Sequence, residues 1–89
     1  MNAIVTVIGN DKVGIIAKVC IKLAGMNINV LDISQTILQG KFTMIMAVDI
    51  SQANINFSEI KDALSILGQE MNLSIRIQRE EIFDAMYNI

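Results

Sequence analysis

Gly9-Asn10-Asp11-Lys12-Val13-Gly14-Ile15-Ile16 decides the fold, because the hydrophobic pattern changes character across it. Before it, Ala3-Ile4-Val5-Thr6-Val7-Ile8 is a β-branched run, expected as a strand buried on most of both faces. After it, Ile16, Val19, Cys20 and Leu23 recur at helical spacing between Val13 and Met26, with Lys18 and Lys22 on the other side. A strand that turns into a helix through two glycines leaves bare N–H groups at a helix N-terminus. Those donors, with the positive end of the helix dipole, favour an anionic group such as a carboxylate. Asn10 or Asp11 is expected to serve as the N-cap. Gly14, lacking Cβ, is expected to let another backbone or a ligand approach closely. A phosphate-binding loop is excluded: Gly9 and Gly14 have the spacing, but Ile15 and Ile16 stand where Lys and Ser/Thr are needed.

Downstream, Gly25 followed by Asn27 is a helix stop. Ile28 to Leu38 then reads as a long second strand, with Asn29 at its mouth and Asp32, Ser34 and Thr36 sharing one face. Gln39-Gly40 makes a tight turn in which Gly40 supplies positive φ. Lys41 to Ile50 returns as the antiparallel partner, with Phe42, Met44, Met46 and Val48 on one face. After a polar connection, Asn56-Phe57-Ser58-Glu59 has the spacing of a capping box. It opens a helix whose inner face is Ile60, Ala63, Leu64, Leu67 and Met71. Leu73, Ile75 and Ile77 alternate with Ser74, Arg76 and Gln78 as a half-buried fourth strand. Glu80 to Tyr87 reads as a short amphipathic helix with Ile82, Phe83 and Met86 on its apolar side.

The order β-α-β-β-α-β, with right-handed crossovers, predicts an α+β ferredoxin-like sandwich. Its four-stranded antiparallel sheet carries two helices on one face, and a short C-terminal helix follows. Residues 1–79 form the expected domain and 80–89 an amphipathic extension of it.

The totals narrow the function. A chain of 89 residues builds one small core, and a 53% hydrophobic share is high for so small a body. Some apolar surface is therefore expected to be covered by a second copy. A net charge of −2 and a pI near 4.8 argue against nucleic acid, which needs a basic stripe. Lys12, Lys18 and Lys22 are read as a solvated face. No signal-peptide pattern and no run of about 18 apolar residues occurs, so no membrane partner is expected and the cytoplasm is the expected compartment. With no histidine and one cysteine, neither a Ser-His-Asp site, a thiol pair nor a histidine metal site can be assembled. No catalytic residue, metal ligand or cofactor is indicated. Cys20 lies on the helical core stripe and is read as packing.

The sandwich hosts many unrelated activities, so the residues must choose among them. An RNA-recognition module needs stacking aromatics on its central strands, where only Phe42 stands. A metallochaperone needs two cysteines where this chain has Asn10-Asp11-Lys12. The segment Gly9 to Val19 instead resembles the first-loop signature of ACT domains, in which a G-x-D-x-x-G-I-[VI]-A-x-V stretch leads from strand to helix. Leu23-Ala24-Gly25-Met26-Asn27-Ile28-Asn29-Val30 is similar to the family's next stretch, and Asp32-Ile33-Ser34-Gln35 with Phe42-Thr43-Met44 continue the likeness. The resemblance is strongest to small stand-alone ACT proteins, and to the ACT modules of glycine-cleavage regulators and formyltetrahydrofolate deformylases.

That resemblance implies a regulatory module, often for an amino acid, that pairs side by side into an eight-stranded sheet and signals to a partner enzyme. It also implies effectors at the interface, touched by the residues matching Asp11 and Asn29, with Gly14 giving them room. The residues agree with this. A carboxylate would meet the amides of Val13, Gly14 and Ile15, Asp11 would accept from an ammonium group, and Ile15 and Ile16 would supply an apolar wall. Asn10 and Lys12 complete the expected ligand-binding set, with Lys12 able to meet a ligand carboxylate or a partner subunit. The alternative is a ligand-free module whose function is dimerisation and protein docking, suggested by the high apolar share and the C-terminal amphipathic segment.

Overall fold

The computed structural model describes residues 1–81. It contains β1 (Asn2–Asn10), α1 (Ile15–Gly25), β2 (Asn29–Leu38), β3 (Lys41–Asp49), α2 (Phe57–Met71) and β4 (Ser74–Arg79). The strands form one antiparallel sheet in the order β2-β3-β1-β4, the ferredoxin-like arrangement that the element order predicts. The chain is helical again at Glu80 and Glu81; the rest of the expected C-terminal helix, with Ile82, Phe83 and Met86, lies outside the described residues.

Alternation puts Ala3, Val5 and Val7 of β1, Phe42, Met44, Met46 and Val48 of β3, and Ile75 and Ile77 of β4 on one face of the sheet. They pack on Ile15, Val19 and Leu23 of α1 and Ile60, Leu64 and Met71 of α2, all in a single core. β1 departs from expectation here. Its other face is not deeply buried: Ile4 and Thr6 are half-covered and Ile8 is exposed. An antiparallel sheet with helices on one side leaves its second face open, so alternation outweighs a continuous apolar run.

Local chemistry explains the element ends. The Asn56 side chain accepts from the Glu59 amide at 2.9 Å, and the Asn56 amide donates back to Glu59 Oε1 at 3.3 Å, completing the expected capping box. In the two-residue hairpin turn both Gln39 (φ 53°) and Gly40 (φ 78°) have positive φ, the requirement of a type I′ turn. Both helices end on an asparagine of positive φ, Asn27 after α1 and Asn72 after α2. The two stops close in the same way: the next residue donates five positions back, Ile28 to the Leu23 carbonyl and Leu73 to the Gly68 carbonyl. The left-handed residue that stops α1 is thus Asn27, with Gly25 still helical.

A bulge at Leu31 shifts the β2–β3 register between Val30 and Asp32. The shift changes which β2 residues face the helices. Val30 pairs with Val48, but beyond the bulge it is Ile33, Gln35 and Ile37 that stand beside the core residues Met46, Met44 and Phe42. Asp32, Ser34 and Thr36 share the outer face, as expected, beside Ala47, Ile45 and Thr43. Although Ile33 and Ile37 lie on the helix side, they are 40% and 54% exposed, because the helix layer leaves this edge strand uncovered.

Candidate functional site

The uncovered strip of β2 and the β1–α1 turn border an open, shallow cavity of about 360 Å³. Asp11, Lys12, Gly14, Ile15, Ile16 and Ala17 line it from the turn and α1. Gln35 and Ile37 line it from β2, and Phe42 closes its floor on β3. Its size lies within the range of small-molecule sites, roughly 300–1,000 Å³.

The turn is held to the sheet at one point and then left open. The Asp11 amide donates to the Gly40 carbonyl at 2.9 Å, and Lys41 donates to Asn10 Oδ1 at 3.0 Å. Asn10 therefore ends β1 and ties it to β3. Neither Asn10 nor Asp11 caps α1, contrary to the sequence expectation: the N-cap is Gly14, at φ 89°, with no side-chain cap hydrogen bond. β1 runs on to Asn10 and the helix starts only at Ile15, which leaves both side chains too early in the turn to reach the first amides. The first α1 amide to find an intrahelical partner is that of Lys18, which donates to the Gly14 carbonyl at 3.0 Å. No acidic side chain stands in the first turn to balance the dipole.

The two glycines have different tasks. A Cβ on Gly14 would meet nothing within 4 Å, so Gly14 is needed for its positive φ and borders open space. Close approach within the chain belongs to Gly9, whose missing Cβ makes way for Leu73.

Lys12 is not simply solvated. Its ammonium donates to the Met71 carbonyl at the end of α2, while its side chain also borders the cavity. Val13 sits at the crest of the turn, fully exposed and outside the cavity lining.

Of the sequence-derived set, then, Asp11, Lys12, Gly14, Ile15 and Ile16 come together, and Asn10 and Val13 flank them. Asn29 is elsewhere. It pairs with Asp49, whereas the turn sits beside Lys41, eight register steps away along β3, or about 26 Å. Sequence reasoning missed Gln35, Ile37 and Phe42 as neighbours of the turn. A signal existed in Gln35: counted back from the Gln39-Gly40 turn, this polar residue is in register with the core position Met44.

The comparisons with known proteins agree with this architecture. The model of the ACT domain matches residues 2–78. A UPF0237 protein of Listeria innocua is 54% identical over 89 residues, covering 100% of both chains. The solved structure of an ACT domain protein from Streptococcus pneumoniae superimposes with a TM-score of 0.82 at 44% identity, over 98% of each chain. The regulatory subunit of aspartate kinase from Thermus thermophilus, in its ligand-free form, gives a TM-score of 0.65 at 28% identity, over 86% of this chain and 50% of that one. With a family match across nearly its whole length, this chain belongs to the ACT domain family, a family of regulatory, ligand-binding modules rather than catalysts.

Proposed function

We propose that the chain works as a cytoplasmic homodimer that binds a small carboxylate-bearing metabolite, an amino acid, in the cavity between the β1–α1 turn and β2. Its bound state is passed to a partner protein. The observation that carries this reading is the α1 N-terminus, uncapped by any side chain, beside a cavity whose other walls are mostly apolar. A carboxylate there would accept from the amides of Gly14 and Ile15, and the dipole would favour its charge. Asp11 would take the ammonium group, and Ile16 and Ile37 the aliphatic part.

Dimerisation gives Asn29 its place in this scheme. β2 is an edge strand with Leu31, Ile33, Ile37 and Leu38 exposed and Asp32 as its one charge, so it lacks most devices that keep an edge from pairing. Antiparallel pairing of β2 with a second β2 sets the start of one strand beside the end of the other. The partner's Asn29 then lies at the cavity end of the first chain.

Thermal-shift measurement with each of the twenty amino acids tests the proposal. A ligand at about a hundred times its Kd stabilises by about 2.7 kcal/mol, a rise on the order of 10 °C for a domain of this size. Asp11→Ala is expected to abolish the shift. No shift with any amino acid, or sedimentation as a single copy, overturns the reading and leaves the fold untouched.

A further inference from the structure

Lys12 serves two neighbours. It borders the cavity beside Asp11, and its ammonium is bonded to the Met71 carbonyl, 59 residues away in the chain. α2 has Glu59 in its first turn and no basic residue in its last, so the positive charge that a helix C-terminus favours reaches it from the β1–α1 turn. The junction it braces is closely built. Leu73 donates to the Gly68 carbonyl at 2.8 Å, a Cβ on Gly68 would lie 2.7 Å from the Leu73 carbonyl oxygen, and Leu73 fills the space left by Gly9.

We propose that Lys12 is an exchangeable helix cap: in the ligand-free chain it holds the end of α2, and a carboxylate seated at the start of α1 draws it away. This rests on the ligand reading of the cavity. Two acceptors compete for one ammonium group, a neutral carbonyl at the negative end of a dipole and a full anion. The charged acceptor makes the stronger hydrogen bond. Ligand entry therefore loosens the segment Met71 to Leu73, which leads directly into the edge strand β4. Linkage makes the effect reciprocal: a partner protein that supplies its own donor to the Met71 carbonyl frees Lys12 and tightens ligand binding by the same factor. The signal thus leaves the site through the α2–β4 junction, on the side of the sheet away from β2.

Amide hydrogen exchange followed by NMR on the full chain tests this, with acetate as a bare carboxylate at constant ionic strength against chloride. Acetate is expected to move the Gly14 and Ile15 amide resonances and to speed exchange at Asn72 and Leu73 roughly 3-fold, the scale of a lost charge–dipole contact. Lys12→Met is expected to show the faster exchange without acetate and no further rise with it, while Lys12→Arg keeps the protection. Unchanged protection in Lys12→Met overturns the cap. Loop resonances that move with acetate while Asn72 and Leu73 stay protected overturn the exchange but leave the ligand reading standing. Loop resonances that do not move overturn the exchange as well, and the thermal-shift screen then decides the ligand reading separately. Should Lys12→Met not fold, the acetate arm on the unaltered chain decides alone.

Discussion

The two ends of the sheet are finished differently. At the end where β1 starts and β3 stops, side chains are committed to backbone. Asn27 donates to the Gln52 carbonyl at 2.7 Å, Asn54 to the Gly25 carbonyl at 3.2 Å, and Asn56 and Glu59 cap α2. Asp49 accepts from the Ser51 amide at 2.9 Å, and the N-terminal ammonium group lies 3.7 Å from the same carboxylate. At the opposite end α1 begins without a side-chain cap, and Lys12 is the side chain that bonds to a helix end. One end is closed by its own polar groups, and the other presents donors to a cavity. The contrast is between side chains: Asn27, Asn54 and Asn56 satisfy backbone groups at the closed end, while at the open end the first amides of α1 have no side-chain partner and border the cavity.

Packing around the helix glycines gives the sharpest test of that contrast, and the largest expected effect. Gly68, near the open end, has the Leu73 carbonyl oxygen where a Cβ would go, a clash with backbone rather than with a movable side-chain tip. Gly68→Ala is expected to cost about 2 kcal/mol, overpacking outweighing the gain in helix propensity. Gly25, near the closed end, has nothing within 4 Å of a Cβ. Gly25→Ala is expected to be neutral or to stabilise by up to about 1 kcal/mol. Urea melts of the two variants, read at the midpoint, check both signs. Equal losses would mean that the open end is not braced through Leu73.

Caps give the next effect. Asn56→Ala removes one half of a reciprocal pair and is expected to cost about 1 kcal/mol. Asp11→Ala removes no cap and is expected to stay within about 0.5 kcal/mol of the unaltered chain, while losing the ligand-induced rise in Tm. The pair separates structure from function within one experiment, because one asparagine and one aspartate at superficially similar strand-to-helix positions change different readouts. A large stability loss in Asp11→Ala would erase the distinction.

What the sequence reveals follows how local each contact is. The capping box is local, with Asn56 and Glu59 three positions apart, whereas the Asn27–Gln52 and Asn54–Gly25 bonds at the same end join residues 25 and 29 positions apart and have no local signature. The strands are local too, since the alternation of Ala3, Val5 and Val7, and of Phe42, Met44, Met46 and Val48, suffices to place them. The open end depends on contacts between residues far apart in sequence. The approach of Gly9 to Leu73 and the reach of Lys12 to Met71 have no local signature, and so Lys12 reads from sequence as a free surface charge. Asn10 and Asp11 read as caps because their residue types favour that role, but the length of β1 decides otherwise. The family signature at Gly9 to Val19 marks the turn as the place to look, and the hairpin at Gln39-Gly40 sets Gln35 and Ile37 opposite Met44 and Phe42, beside it. The bulge at Leu31 lies farther along β2 and shifts only the residues before it.

The smallest effect concerns acid, and it belongs to the closed end. The Ser51 backbone amide, and then its hydroxyl, hold the Asp49 carboxyl below the usual carboxylate range. Desolvation opposes them, and the N-terminal ammonium group adds a further attraction. A carboxyl depressed in the folded chain contributes stability that is complete above its unfolded pKa and disappears as the pH falls through the folded one. The contribution is therefore present at neutral pH and lost on acidification below about pH 4, the region in which an unfolded aspartate takes up its proton. Because the group is open to solvent, screening keeps the effect small, and added salt removes its ammonium component while leaving the Ser51 hydrogen bonds. Melts of the unaltered chain and of Asp49→Asn between neutral pH and pH 3 should converge at the acid end, with the variant lower at neutral pH. Curves that stay parallel through that window would mean that the Ser51 contact is equally available in the unfolded chain, so that the closed end owes its order to Asn27, Asn54 and Asn56 instead.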